Sequence, residues 1–135
     1  MAWQTFGEGA VAAVATAWQA VGITPGTVGI TAGESVFDCP DMPSVTAWIS
    51  GVDPDPTPPP CVVTPMVVWT LRVGDCDPDG WHTLLQTAWC AVADYADLCC
   101  RPSDDLTVSI NGLTVATPSG GIVYADLTMT VTESC

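Results

Sequence analysis

Apolar side chains alternate with other side chains over residues 62–73, and this pattern constrains the fold more than any other in the sequence. One side of the segment carries only large apolar residues: Val67, Trp69, Leu71 and Val73. The other side is mixed: Thr64, Met66, Val68, Thr70 and Arg72. A period of two is that of a β-strand, and one apolar side is typical of a sheet with a single buried face. The segment is therefore predicted to be the strongest strand of a half-buried sheet.

The chain closes with further β structure. Its last strand is predicted to place alternate residues in the core: Val123, Ala125, Leu127, Met129 and Val131. Residues 106–110 also alternate and run into Asn111-Gly112, a pair typical of a two-residue hairpin turn. We therefore expect residues 113–117 to return as the hairpin partner of 106–110. Two more strands are predicted earlier in the chain, over 27–37 and 44–52.

Two segments have the period of an amphipathic helix. In residues 6–21 one helical face carries Val11, Val14, Ala15, Trp18 and Val21. Gly22 follows as a stop signal. From residue 79 to about residue 96 an apolar stripe is formed by Trp81, Leu84, Leu85, Ala88, Val92 and Tyr95. Each stripe requires an apolar partner, which the buried face of the sheet provides.

The order of these elements predicts the fold class. Strands in runs, separated by single helices, indicate an α+β domain with a mainly antiparallel sheet and two helices packed on one face. Residues 53–60 contain five prolines and are predicted to form a stiff extended loop between two strands. We expect a single domain spanning residues 1–135.

Charge limits the partners that this domain can have. Two arginines, Arg72 and Arg101, stand against fifteen carboxylates, and the formal net charge is −13. Nearly half of the residues are hydrophobic, so the chain is a folded domain rather than an acidic disordered tail. Two cations cannot neutralise a phosphate backbone, and the acidity also opposes an anionic membrane surface. No uninterrupted apolar segment is long enough for a transmembrane helix.

The seven cysteines are expected to be mostly free thiols. The N-terminal segment has no positively charged region, so the apolar stretch over 10–21 does not have the pattern of a secretory signal, and synthesis in the cytoplasm is expected. In that compartment thiols stay reduced, and an odd number leaves at least one unpaired. We therefore interpret most of them as small buried hydrophobic residues.

Two groups of residues contain side chains that can bind a metal or act in catalysis, and neither predicts an enzyme or a cofactor. Asp75, Asp77 and Asp79 match the opening of a calcium loop, but Gln86 occupies the position that requires a bidentate glutamate. A solvated turn at the start of a helix is the preferred interpretation. The single histidine, His82, has spacings to Cys76 and Cys90 that match no zinc module.

Tryptophan is unusually frequent, with six residues in the chain. Three of them, Trp18, Trp69 and Trp89, fall in core-like patterns. Trp3 and Trp48 do not, and an aromatic side chain outside a core pattern is often an anchor of a subunit contact. Packing within the monomer, under the proline-rich loop, is an equally weighted interpretation of these two.

Three segments follow one another in a characteristic order. They are Pro58-Pro59-Pro60-Cys61-Val62-Val63 leading into Val68-Trp69-Thr70-Leu71, then Asp79-Gly80-Trp81 with Leu84-Leu85, and finally Tyr124-Ala125-Asp126-Leu127-Thr128-Met129-Thr130-Val131. This order resembles the tail terminator (tail completion) proteins of long-tailed actinobacterial phages. The resemblance covers most of the chain from about residue 45 onward. The alanine-, valine-, threonine- and proline-rich composition without lysine is also similar to that of proteins from GC-rich phage genomes.

The resemblance implies a structural virion protein. Such proteins form a hexameric ring that caps the tail tube protein and joins the tail to the head-to-tail connector, or stopper, protein, and DNA passes through the ring without specific binding. The family has no catalytic residues. A lumen that DNA passes should repel phosphate, and four loop acids are candidates for its lining: Asp53, Asp55, Asp104 and Asp105.

Two alternatives remain open. Another neck or tail-tube subunit, such as a head-closure protein, would share the ring and differ in its position. A module of another class, an acidic calcium-binding domain, would use the three aspartates of residues 75–79.

Overall fold

Two helices and five strands make up the fold. A computed structural model describes residues 2–33, 39–54, 65–76, 79–99, 106–115 and 122–133. The elements in chain order are α1 (Ala2–Ala20), β1 (Thr27–Ile30), a 3₁₀ turn (Cys39–Asp41), β2 (Ser44–Pro54), β3 (Pro65–Asp75), α2 (Trp81–Cys99), β4 (Leu106–Val115) and β5 (Val123–Glu133). Both predicted helices are therefore present.

The strands form one sheet in the order β1-β2-β3-β5-β4. β1 and β2 are parallel, and all the other neighbouring strands are antiparallel. Both helices contact the same face of the sheet: α1 packs against Trp69, and α2 packs against Leu71 and Val73. These three residues alternate along β3, so they share one face. The predicted α+β fold, with two helices on one face of a mainly antiparallel sheet, is confirmed.

The core lies between the helices and this helix-bearing face. The four apolar positions predicted for β3 are all buried: Val67, Trp69, Leu71 and Val73. The five predicted for β5 are buried as well: Val123, Ala125, Leu127, Met129 and Val131. The opposite face, here called the helix-free face, carries the polar and mixed positions of the same strands. The alternation therefore predicted correctly which side of each strand faces the helices, although Thr70 and Arg72 on the other side of β3 are also buried.

The two helices pack antiparallel to each other. Near the start of α1, the Phe6 ring lies 5.2 Å from the Tyr95 ring of α2, measured between centroids. Near the end of α1, the indole N–H of Trp18 donates a hydrogen bond of 3.1 Å to the carbonyl of Leu84, in the first turn of α2. Trp18 is fully buried, so this hydrogen bond satisfies a donor that water cannot reach.

Helix α1 ends at the predicted glycine. Gly22 has a φ of 84°, a left-handed conformation that glycine adopts without a steric penalty. The amide of Ile23 donates to the Trp18 carbonyl at 2.8 Å, and the amide of Gly22 donates to the Gln19 carbonyl at 3.2 Å. This pair of bonds is the Schellman motif, which satisfies the last carbonyls of the helix. Val21 lies beyond the buried face and is exposed, contrary to the prediction.

The predicted hairpin at Asn111-Gly112 is wrong. β4 continues through these residues and pairs with β5 from Leu106 to Val115. The register shifts between Ile110 and Gly112, which marks a bulge. β5 is eleven residues long, so a single uninterrupted partner is available to the whole of β4. Pairing across the bulge keeps more backbone hydrogen bonds than a turn would. The Asn-Gly pair therefore lies within β4, at the bulge.

The remaining strand boundaries differ modestly from the prediction. β2 extends to Pro54, which pairs with Pro65, so the first two residues of the predicted proline loop belong to strands. Residues 55–64 lie outside the described part of the chain. The irregular strand predicted over 27–37 is confined to β1, and residues 34–38 also lie outside the described part.

Replacing Gly7 with alanine is expected to destabilise the protein, although this substitution usually stabilises a helix. A Cβ added there would overlap the Trp69 ring, which is 2% exposed and has no room to move. In an open helix glycine-to-alanine gains about 1 kcal/mol, whereas overpacking a core costs about 1–3 kcal/mol. We expect Gly7→Ala to lower the free energy of unfolding in urea by about 2 kcal/mol. Gly33→Ala is the control, since a Cβ there meets nothing within 4 Å. Equal effects at the two sites would contradict the packing argument.

Candidate functional site

Arg72 lies at the centre of the helix-free face. It is paired in register with Thr46 of β2 on one side and with Asp126 of β5 on the other. Its Nε donates to Asp126 Oδ1 at 2.7 Å, and its Nη2 donates to Asp126 Oδ2 at 2.9 Å. This two-point geometry is the strongest form of a carboxylate–guanidinium pair. The Arg72 side chain is only 8% exposed, against 31% for Asp126.

Two aromatic rings complete the enclosure of Arg72. Its guanidinium carbon lies 5.2 Å from the centroid of the Trp48 ring and 5.1 Å from that of the Tyr124 ring. Both distances are within the range of a cation–π contact. Tyr124 comes close because its neighbour is Gly74: a Cβ there would lie 2.8 Å from the tyrosine ring. We call Arg72, Asp126, Trp48 and Tyr124 the arginine cluster.

The rest of the helix-free face carries mainly hydroxyl groups. Thr70 donates to Ser50 at 2.8 Å, and the Asn111 amide donates to Thr130 at 2.6 Å. Further hydroxyl residues at positions of this face are Thr46, Ser109, Thr114, Thr128 and Thr132. Among the described side chains of this face, the only charges are those of the Arg72–Asp126 pair, and they cancel. Thr46 and Thr70 are buried at the centre of this face, so its accessible part lies mainly along β4 and β5 and is polar, with described charges that cancel.

The sequence analysis did not predict the arginine cluster, although the sequence contains one indication of it. Arg72 is the one basic residue on the strongest strand, and a cation on a sheet face needs a cross-strand partner. Identifying Asp126 as that partner requires the register of β3 against β5, which the sequence does not provide.

Of the two tryptophans predicted as subunit contacts or as monomer packing, the structure tests one. Trp48 is 8% exposed because its ring packs against Arg72 within the monomer. Trp3 belongs to α1, but its side chain is outside the described part of the chain. Trp89, predicted as a core residue, is 39% exposed on α2. The tryptophan with the most available surface in the described part is therefore Trp89.

The acids proposed to line a lumen remain a prediction. Asp53 lies in β2 opposite Met66, but its side chain and the whole of Asp55, Asp104 and Asp105 are outside the described residues. Several other acids are exposed away from the helix-free face: Glu8 and Asp94 on the helices, and Asp41 and Asp79 in loops. Within the described part, carboxylates are therefore not concentrated on one face.

The calcium motif gains no support from the described residues. The Asp75 carboxylate is buried and accepts the backbone N–H of Cys76 at 2.8 Å, whereas Asp79 is exposed. Asp77 lies outside the described part. Among the residues that the structure describes, no group of three potential ligands is close enough to hold a metal ion. Helix α2 begins after Gly80, whose carbonyl accepts the Leu84 N–H.

The expectation of free thiols is wrong for Cys39 and Cys76 and right for Cys90, whose expected burial is wrong. Cys39 and Cys76 form a disulfide, and Cys90 is exposed. The pairing of β2 with β3 brings the two ends of this bridge together, with their Cα atoms 5.7 Å apart, a separation that suits a disulfide. The bridge also removes Cys76 from any metal or catalytic site with His82.

The disulfide is expected to contribute about 3 kcal/mol to stability. It joins residues 37 positions apart, and a closed loop of this length restricts the unfolded chain substantially. A Cys39→Ser/Cys76→Ser variant should lose about 3 kcal/mol of unfolding free energy in non-reducing buffer. Adding a thiol reductant should lower the wild type to the same value and leave the variant unchanged. An identical response of both proteins to reductant would show that the bridge contributes nothing.

A shallow cleft of about 470 Å³ lies between the outer sides of α1 and α2. Small residues line most of it, and its polar groups are Thr16, Asp94 and the Tyr95 hydroxyl. These groups include no nucleophile paired with a base, so the cleft does not have the composition of a catalytic site.

Comparisons with known proteins do not identify a family. No protein-family model matches the chain, and no curated protein is similar to it at a significant level. Among the described residues, neither helix is long and apolar enough to cross a membrane.

Proposed function

We propose that this chain is a structural virion protein, a tail terminator whose subunits form a ring on the end of a phage tail tube. The ring would join the tube to the connector or stopper protein of the head, and DNA would pass through its lumen. The order of segments that resembles this family supports the assignment to a phage tail. The physical support comes from the charge of the chain and from the helix-free face of the sheet.

One observation carries the proposal: the helix-free face is polar, yet its single described cation is neutralised. Proteins that hold DNA do so mainly by placing lysine and arginine against phosphates. Here the guanidinium of Arg72 is paired with the carboxylate of Asp126, and the rings of Trp48 and Tyr124 cover the guanidinium. Thr46 and Thr70 beside it are buried, whereas Ser109 and Thr114 on β4 are exposed and can face water without attracting a polyanion. A surface of this composition suits a conduit past which DNA slides.

The net charge of the chain also opposes the binding of DNA. Six copies of a chain with net charge −13 would carry about −78 in total. Of this charge, only carboxylates that face the lumen would repel phosphate there, since repulsion reaches about one Debye length, roughly 8–10 Å at physiological salt. The same charge opposes assembly, so the subunits require apolar contacts to stay together.

A test of the lumen uses charge reversal in matched sets. Asp53→Lys/Asp55→Lys and Asp104→Lys/Asp105→Lys should produce rings that retain double-stranded DNA at low salt and release it as salt rises. Glu8→Lys/Asp94→Lys is the control, because it makes the same charge change at exposed positions on the helices. Equal DNA retention by all three variants would exclude these four acids as lumen residues.

The ring itself is tested by electron microscopy of the purified protein. Closed single rings support a terminator, whereas long stacks indicate a tail-tube subunit. When the purified protein is mixed with heads and with tails, binding to heads alone would indicate a head-closure protein. For the calcium-binding alternative, titration calorimetry and a melting curve with calcium are decisive, and heat together with a raised melting temperature would favour that module over the ring.

A further inference from the structure

We propose that copies of this chain join head to tail through the two opposite edges of the sheet, with β1 of one subunit beside β4 of the next. This inference rests on the proposed ring and names the surfaces that would form it. In the described part of the chain, β1 and β4 are the outermost strands. An outermost strand presents unpaired backbone N–H and C=O groups that another strand can pair with.

Apolar side chains are exposed at both edges. On the β1 side, the exposed apolar residues are Val28, Ile30, Ile49 and Val52, here called the β1 patch. On the β4 side they are Trp89, Leu113 and Val115, here called the β4 patch. Val28 and Val115 are 43% and 52% exposed. Neither edge strand, β1 nor β4, contains a charged residue, although the chain has a net charge of −13.

The two patches lie at the ends of the same rows of the sheet. Successive pairings connect Val28 through Val45, Val73 and Ala125 to Val115. In the same way they connect Ile30 through Ala47, Leu71 and Leu127 to Leu113. Paired residues point to the same face, so both rows lie on the helix-bearing face. Each row is buried in its middle and exposed at its two ends.

Strand directions make this contact an antiparallel one. β1 runs parallel to β2, and β4 runs opposite to β5, so β1 and β4 point in opposite directions within one subunit. A neighbour related by rotation about an axis along the strands would place its β1 antiparallel to β4. Without stagger, Val115 would face Val28 of the neighbour, and Leu113 would face its Ile30. Antiparallel pairing is the more stable kind, and these apolar pairs would add cross-strand contacts.

Repetition of this contact keeps the same face of every subunit turned to the axis. A head-to-tail contact that closes forms a ring, in which each subunit uses both patches. A two-fold contact, β1 with β1 or β4 with β4, would leave one patch of every subunit exposed to water. The head-to-tail contact covers both, and we therefore favour it. With the helices outside, the helix-free face and its arginine cluster would line the lumen.

The test uses one aspartate in each patch, Val28→Asp and Val115→Asp. Native mass spectrometry and sedimentation should give a ring for the wild type and monomers for each variant, with association at least ten-fold weaker. A 1:1 mixture of the two variants should form dimers only, because each contributes one intact edge. The double variant Val28→Lys/Val115→Asp should recover the ring through complementary charges. Val21→Asp, exposed and outside both patches, is the control.

Circular dichroism and urea melts establish that each variant is folded, and Ile30→Asp with Leu113→Asp gives a second pair if one of the first set is not. Rings of wild-type size in both single variants would overturn the edge contact and leave the ring function standing. Homodimers of a single variant would show a two-fold contact and overturn the head-to-tail one. A wild type that stays monomeric at high concentration would overturn both the edge contact and the proposed ring.

Discussion

Replacing Asp126 with asparagine is expected to lower the free energy of unfolding by about 3–4 kcal/mol. The change keeps the shape of the side chain and removes its charge. Arg72 would then be a cation whose side chain is 8% exposed and which has lost the carboxylate of Asp126. Removing one partner of a buried ion pair is costly mainly because the other charge stays out of water. Urea denaturation of the two proteins at neutral pH measures the difference.

The matched control is Asp94→Asn, which makes the same change at an exposed position on α2. Surface substitutions of this kind usually alter stability by no more than about 0.5 kcal/mol. Arg72→Met should cost less than Asp126→Asn, because the carboxylate that it leaves behind is 31% exposed and water can hydrate it. A smaller loss for Asp126→Asn than for Arg72→Met would show that the ion pair does not stabilise the sheet in the way proposed here.

Replacing Trp18 with alanine is expected to cost about 4 kcal/mol. Trp18 is fully buried at the junction of α1, α2 and the sheet, and its side chain is the largest of the fully buried ones described. Truncation removes the apolar contacts of the ring, leaves a cavity, and deprives the Leu84 carbonyl of the indole N–H. Because this hydrogen bond joins the two helices, the loss should also appear as reduced amide protection in the second turn of α2, where the amides are hydrogen-bonded within the helix.

Trp18→Phe keeps an aromatic ring and removes the indole N–H together with part of the ring, so its cost is an upper limit on the contribution of the hydrogen bond. We expect it to cost about 1–2 kcal/mol. Trp89→Ala is the matched control, because the same truncation is made at a residue that is 39% exposed. Its effect on the stability of the monomer should be clearly smaller than that of Trp18→Ala, although Trp89→Ala should weaken assembly through the β4 patch. Similar losses of monomer stability at the two tryptophans would contradict the burial argument.

In the candidate site, sequence patterns predict the face on which a residue lies but not its partner on the neighbouring strand. Alternation placed Arg72 on the mixed side of β3 and Asp126 on the outward side of β5. Nothing in either strand indicates that the two residues stand opposite each other, because strand order and register depend on all five strands together. The same holds for Cys39 and Cys76, which are 37 positions apart and meet only because β2 pairs with β3.

Asn111-Gly112 shows the opposite case, in which a strong local signal is overruled. The pair favours a two-residue turn through its backbone preferences alone. The long β5 strand offers hydrogen bonds to residues on both sides of it, and this non-local pairing outweighs the local preference. Trp89 was likewise predicted as a core residue from its pattern, but it lies beside Leu113 at the β4 edge of the sheet and is 39% exposed.

The sequence by itself determined the two helices, the Gly22 stop and the buried side of β3 and β5. These features follow from periodicity and backbone preference, which act over a few residues. Only the tertiary structure decided the strand order, the disulfide, the Arg72–Asp126 pair and the apolar rows that end at both edges of the sheet. Each of these depends on which strands become neighbours, and that choice is made by the burial of the whole apolar face against two helices rather than by any single segment.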